Sequence, residues 1–205
     1  MVDKATPVDP DRRRQTRDPE RTRGLILQAA REHFAAHGLD GARVDAIAEA
    51  AGVNKRMIYY YFTDKDGLFV ATLEMIYGEL SAASDALVID APPETALNRY
   101  IDYMWDYYRA HPETIAILNS ENLHAARHLK QSAEVERLQR PFVKTLETVL
   151  DEGAERGVFK PDLNAVNIHI TVIALVYLFI GNNATLSVYF RKDLSTAEAQ
   201  DAWLA

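Results

Sequence analysis

Residues 51–68 read AGVNKRMIYYYFTDKDGL, and the folding of this stretch decides how the rest of the chain is read. Tyr59, Tyr60, Tyr61 and Phe62 come soon after Lys55 and Arg56. Four aromatic residues in a row ordinarily favour a strand. The flanks point to a helix instead. Gly52 permits a tight turn, Asn54 is a good helix N-cap, and Asp64 can cap a further helix. One short helix remains between them, from Lys55 to Phe62. At about 100° per residue, Ile58 and Phe62 share one face, while Arg56 and Tyr60 lie close to the opposite face. Lys55 with Tyr59 forms one flank, and Met57 with Tyr61 the other. Phe62 therefore goes to a core, and the tyrosines fan outward beside two cations. A tyrosine hydroxyl can donate to a phosphate, and its ring can pack on a base or a sugar. A basic, tyrosine-rich helix face of this kind suits a DNA groove.

Composition sets the frame around that helix. The chain has 205 residues, 48% of them hydrophobic, enough for one or two domains with a real core. It has no cysteine, which excludes disulfides and thiolate metal sites and fits a reducing cytoplasm. Residues 1–20 lack the apolar stretch of a secretory signal. The most apolar run, Ile170 to Ile180, is 11 residues long. A membrane span needs about 20, so a buried core or interface helix is expected and no membrane partner. The net charge of −7 hides an asymmetry. Residues 1–66 carry 12 Lys and Arg against 11 Asp and Glu, whereas residues 67–205 carry 11 against 19. Arg12, Arg13, Arg14, Arg17, Arg21 and Arg23 cluster at the start, the pattern of a DNA-binding end on an acidic body.

Helix signals recur along the whole chain. Residues 1–17, rich in charge and poor in apolar groups, read as a disordered arm. Asp18-Pro19-Glu20 opens a helix that runs to about His37, and Gly38 ends it. A short helix is expected from Asp45 to Ala51. After the quoted stretch, helices are expected at about 65–84, 93–111, 112–129, 134–156 and 162–190, with Asp162 as a cap and Pro141 either inside its helix or marking its start. Ser195 opens a last helix whose apolar side looks cut short at Ala205, so a longer natural helix is expected. No strand or repeat is evident, and the fold reads as all-α with about nine helices.

Several of these residues carry a resemblance. Arg23-x-x-Ile26-Leu27-x-Ala29-Ala30, Phe34, Gly38, then Val44-x-x-Ile47-Ala48-x-x-Ala51-Gly52-Val53, then Tyr59-x-Tyr61-Phe62-x-x-Lys65-x-x-Leu68 resemble the TetR/AcrR family of bacterial transcriptional regulators. His111-Pro112-Glu113 through Ser120-Glu121-Asn122-Leu123-His124 looks like one subset of such proteins. The resemblance implies a three-helix helix-turn-helix DNA-binding domain at 18–66. It also implies an effector-binding and dimerisation domain at 67–205, whose last long helices form a homodimer interface. A homodimeric repressor, released from a near-palindromic double-stranded operator by a small molecule, is the implied function. Carried over by position, Tyr59, Tyr61 and Lys65 would hold phosphates, and Lys55, Arg56 and Tyr60, with Met57 beside them, would approach base edges. Arg43 stands where the family usually has Thr or Ser. It cannot cap with an acceptor oxygen, but it can meet phosphate as a cation, with Asp45 favouring the helix dipole.

Other residues are candidates for a pocket or an interface. Tyr103 and Tyr107, at i and i+4, would form one wall of a ligand pocket, with Asn119, Asn122, His124, His169 and Tyr177. The 162–190 helix is apolar on nearly all sides, so Val172, Val176 and Phe179, with Trp203, are expected at a homodimer seam. Glu121-x-x-His124 with His128 has the spacing of a single metal site, but a carboxylate di-iron motif needs a second copy that the chain lacks. No G-x-S-x-G, Walker loop or cysteine nucleophile is present, and no cofactor is expected. Two readings stand beside the regulator: a metal-dependent helical-bundle enzyme, and a helical adaptor that has lost DNA binding.

Overall fold

The computed structural model describes residues 19–83 and 91–204. The arm expected at 1–17, the Asp18 cap and Ser84 lie outside the described residues. Every regular element among them is helical: α1 (Pro19–Gly41), α2 (Val44–Ala50), α3 (Lys55–Phe62), α4 (Lys65–Ser81), α5 (Pro93–Ala110), α6 (Pro112–Leu123), α7 (Ala133–Glu155), α8 (Ala165–Phe190) and α9 (Ala197–Leu204). A single 3₁₀ turn, Leu129–Gln131, precedes α7. The chain is all-α, as the apolar periodicity predicts.

Local chemistry sets most of the boundaries. The Asn54 side chain accepts from the Arg56 amide, and the Asp64 side chain from the Gly67 amide, so both predicted caps close their helices. Pro93 and Pro112 each stand in the first turn of a helix, where their missing N–H costs nothing. Gly38, at φ 66°, breaks the helical path of α1, and the chain resumes a last turn to Gly41. Pro141 lies within α7, the first of the two expected arrangements. Several boundaries differ from expectation, among them the end of α4, at Ser81 instead of about 84. The cap of α8 is Asn164, which accepts from the Asn167 amide, while Asp162 sits in the preceding turn at φ 62°. The helix from Pro112 stops at Leu123 instead of about Leu129, because Ala125 and Ala126 both turn left-handed, at φ 54° and 57°. The short helix before the quoted stretch begins at Val44, one residue early.

Two apolar clusters result. The head cluster joins Ile26, Ala30, Phe34, Ile47, Ile58, Phe62, Leu68, Phe69 and Ile76, with Ile117 of α6 inserted from the body. The body cluster joins Tyr100, Met104, Trp105, Tyr108, Phe142, Leu146, Val172, Val176 and Phe179. Leu80, near the end of α4, packs against both. Helix α4 is thus a rod anchored at both ends. α8 is 26 residues long and apolar enough, by length and composition, to cross a membrane, which the short run read from sequence did not suggest. One side of it packs on the body, against α5, α6 and α7.

A buried ion cluster ties head to body. Arg31 of α1 is 3% exposed. Its guanidinium lies 3.0 Å from Glu79 of α4 and donates to Thr114 of α6 at 2.8 Å and to Tyr107 of α5 at 3.3 Å. Nε is 3.0 Å from Glu113, an ionic contact without the alignment of a hydrogen bond. Tyr107 in turn donates to Glu79 at 2.8 Å. Four helices therefore meet at one cation.

Candidate DNA-reading face and effector cavity

The turn between α2 and α3 is built by Gly52. Its φ of 64° belongs to the left-handed region that glycine enters without a Cβ clash. The Gly52 amide donates to Glu49 and the Val53 amide to Ala48, at 3.0 Å each, which closes the turn. Ile58 and Phe62 then lock α3 onto the head core. The opposite face stands in solvent. Tyr60 is 78% exposed, and Arg56, Lys55 and Tyr59 are exposed beside it. Tyr60 meets Tyr61 edge to face at 5.1 Å.

The flanks refine the sequence reading. Met57 and Tyr61 are half-buried against the head core, so each offers at most an edge to a groove. Lys55 pairs with Asp45 at 2.8 Å, which raises the lysine pKa and lowers that of the aspartate. An exposed pair of this kind is weak, and a phosphate can displace it. Arg43 is exposed and, as N-cap of α2, makes no side-chain cap bond. Lys65 finds its partners within its own chain. Its ammonium donates to the carbonyls of Leu39, Asp40 and Ala42 at 2.8, 3.3 and 3.3 Å. All three of its donors meet backbone carbonyls at the end of α1, so Lys65 ties α4 to α1.

The body contains a cavity of about 720 Å³ walled by α4, α5, α6, α7 and α8. Of the pocket residues named from sequence, Asn122, His169 and Tyr177 line it. Tyr103 and Tyr107 do not. Tyr107 belongs to the Arg31 cluster, and Tyr103 donates to the Glu79 carbonyl at 2.7 Å. Asn119 stands behind the wall and accepts from Tyr177 at 2.7 Å. His124 turns toward the head, 2.7 Å from the Ser120 carbonyl and 3.5 Å from Asp40. The sequence reading missed Tyr77, Tyr108, Glu121 and Phe142 as wall residues. Tyr108 was within reach, since it lies in the aromatic run of α5 on the face adjoining Tyr107.

Glu121 organises the cavity's floor. It is 1% exposed, and its carboxylate accepts from the His128 and Leu129 amides at 2.8 and 3.0 Å and meets His128 Nδ1 at 2.5 Å. Burial pushes its pKa up, but these donors outweigh burial and leave it lowered. Glu121 thereby holds the left-handed turn at Ala125 and Ala126, where each alanine costs about 1–2 kcal/mol. The His128 ring then packs edge-on against Phe69 at 5.0 Å. A group in the cavity wall is one residue away from the head core. With His124 turned aside, the supposed metal set does not converge, and no group of three potential ligands gathers among the described residues.

His169 shows how dry the far wall is. Its Nδ1 lies 2.6 Å from the Tyr100 hydroxyl, and burial lowers its pKa. A lowered histidine contributes stability fully above its unfolded pKa of about 6.5, and loses it as pH falls through the folded value. Thermal stability is therefore expected to fall as pH falls from about 7 to about 5, with His169→Gln showing a shallower loss. Equal slopes for the two proteins would exclude this role.

The surface of α8 corrects the predicted seam. Val172, Val176 and Phe179 are buried in the body of their own chain, and Phe179 is stacked on Trp203 at 4.8 Å. The exposed stripe runs instead along Thr171, Leu175, Leu178, Thr185 and Tyr189. Trp203 remains about half exposed beside it.

Known proteins share this arrangement. Residues 26–72 match the family of bacterial regulatory proteins, tetR family, and residues 93–205 match the tetracyclin repressor-like C-terminal domain. The HTH-type transcriptional repressor NicS of Pseudomonas putida is 37% identical over 186 residues, covering 90% of this chain and 88% of that protein. The HTH-type transcriptional repressor SCO4008 of Streptomyces coelicolor is 34% identical, covering 78% of each chain. The crystal structure of the putative transcriptional regulator SCO4942, also from Streptomyces coelicolor, superposes with a TM-score of 0.67 at 26% identity, covering 89% of this chain and 94% of that one. The short reading helix on its glycine turn, the body behind it and these matches agree: the chain belongs to the TetR family and is a helix-turn-helix, DNA-binding transcriptional regulator, not an enzyme.

Proposed function

We propose that this regulator is a cytoplasmic homodimeric repressor, released from a near-palindromic operator when a small molecule enters the cavity of its body. The observation that carries this reading is the outer face of α3. Arg56 and Tyr60 project from a helix whose inner face is locked by Ile58 and Phe62. Such a helix enters a major groove rigidly, with Arg56 suited to a guanine edge and Tyr59 to a phosphate. Lys55, placed at a base edge by the resemblance, stands on the flank beside Asp45 and suits a phosphate instead. Two copies related by a two-fold axis place two such helices about one DNA turn apart. An effector that prefers a different spacing of the heads shifts the population away from the bound state. Support for that coupling lies in α4, which packs on both clusters, and in the Glu121–His128–Phe69 contact between cavity and head.

A reporter gene whose promoter overlaps the protein's selected DNA site tests the reading. Expression is expected to fall when the parent chain is present and to recover with Arg56→Ala/Tyr60→Ala. Unchanged or raised expression with the parent contradicts repression. The dimer is tested separately by sedimentation velocity. The parent is expected as a two-chain species, and Leu175→Glu/Tyr189→Glu, both at exposed positions (52% and 79%), is expected to sediment as one chain. A parent that sediments as a monomer at micromolar concentration would count against the seam.

A further inference from the structure

The cavity's polar groups are distributed in a way that selects a ligand by charge. Among the described residues, no lysine or arginine lines it. Glu121 is the one formally charged residue in the wall among the described residues, and its two oxygens already meet three donors. An entering anion would give up water for no counter-charge, and an entering cation for one carboxylate whose oxygens are already hydrogen-bonded, and both are unfavourable beside a largely apolar lining.

The polar groups left to a ligand include two phenols able to donate, beside the Asn122 and Asn182 amides, which can donate or accept. Tyr77 and Tyr108 line the cavity, and neither hydroxyl is used by another described residue. Burial raises both pKa values, so both stay protonated. The Tyr100 hydroxyl and Nδ1 of His169 lie 2.6 Å apart, so that hydrogen bond occupies Nδ1 and leaves Nε2 as the imidazole's remaining polar atom. Between these groups lie the flat faces of Tyr108, Phe142 and Tyr177 and the side chains of Leu80, Met104 and Ile173. Flat rings beside one another favour an aromatic guest in offset or edge-on contact.

We infer that the effector is an uncharged, flat aromatic molecule bearing hydrogen-bond acceptors, held by Tyr77, Tyr108 and His169, and that carboxylates of the same skeleton are rejected. The inference rests on the proposed reading of the cavity as the effector site. It goes further by fixing the charge and the hydrogen-bonding sense of the ligand.

The test uses three probes of one skeleton with the full chain: chromone, its ring carboxylate and its aminomethyl derivative, titrated calorimetrically at neutral pH. Release of the selected DNA duplex is followed alongside. Chromone is expected to bind at least tenfold more tightly than either ion. Tyr77→Phe/Tyr108→Phe is expected to weaken chromone about tenfold while leaving the melting temperature close to the parent's. Should that variant unfold, the single variants Tyr77→Phe and Tyr108→Phe give the same comparison with less lost contact. Equal or tighter binding of the carboxylate or the ammonium overturns the inference, as does failure of chromone to bind at its solubility limit. Chromone binding with the expected ranking but no release of DNA upholds the ligand class and overturns the effector reading.

Discussion

Arg56→Ala and Tyr60→Ala are each expected to weaken binding to the protein's selected DNA by about tenfold to a hundredfold, the range of one lost base contact of about 1–3 kcal/mol. Both side chains are exposed and outside the apolar clusters. Their removal should change folding stability by no more than about 0.5 kcal/mol, so a loss of affinity reports contact and not collapse. The two variants differ in kind. Loss of a base contact relaxes sequence preference at one position of the site, whereas loss of a phosphate contact weakens all sequences alike and lowers the salt dependence. Arg56→Ala is expected to blur the site, and Lys55→Ala to flatten the salt slope. Anisotropy titrations of a labelled duplex at two salt concentrations separate these outcomes. Parent-like affinity in both Arg56→Ala and Tyr60→Ala would remove α3 from the DNA.

Arg31→Met is expected to cost about 2–4 kcal/mol of folding stability. Breaking a buried ion pair by removing one partner typically costs about 3–5 kcal/mol, because the other charge is left without compensation. The lower part of that range applies here, since the Glu79 and Glu113 side chains keep 35% and 27% exposure and water can reach them. Thr114 and Tyr107 also lose their donor. Urea unfolding measures the loss, and adding Glu79→Gln to Arg31→Met should restore part of it by removing the stranded charge. A loss below about 1 kcal/mol would mean that the cluster is structurally idle. A full loss with unchanged DNA affinity in the folded fraction would separate its role in stability from any role in signalling.

Local chemistry made the reading helix legible. Asn54, Gly52 and Asp64 each act within a few residues of their own position, so caps and turn could be placed without knowing the fold. The wheel then put Ile58 and Phe62 inside and Arg56 and Tyr60 outside, as found. The carbonyl partners of Lys65 were not foreseen, because Leu39, Asp40 and Ala42 lie more than twenty residues earlier in the chain. Nothing near Lys65 in the sequence signals contact with those groups. The cavity was partly legible for a related reason. Periodicity says which residues of α5 turn inward, but not whether an inward residue meets a cation or a void. Tyr107 meets Arg31, while its neighbour Tyr108 meets the cavity. Helix α8 set the hardest case. Apolar on nearly every side, it offers no sequence contrast between the face that packs on Trp105 and the face left exposed at Leu175 and Leu178.

Selection of bound sequences from a random pool of double-stranded DNA, at one fixed moderate salt concentration, tests the central claim most directly. The account predicts an enriched near-palindrome whose half-sites lie about one helical turn apart, with enrichment lost or blurred in Arg56→Ala/Tyr60→Ala. No sequence enriched above the starting pool, or the same site recovered unchanged by the double variant, would contradict it.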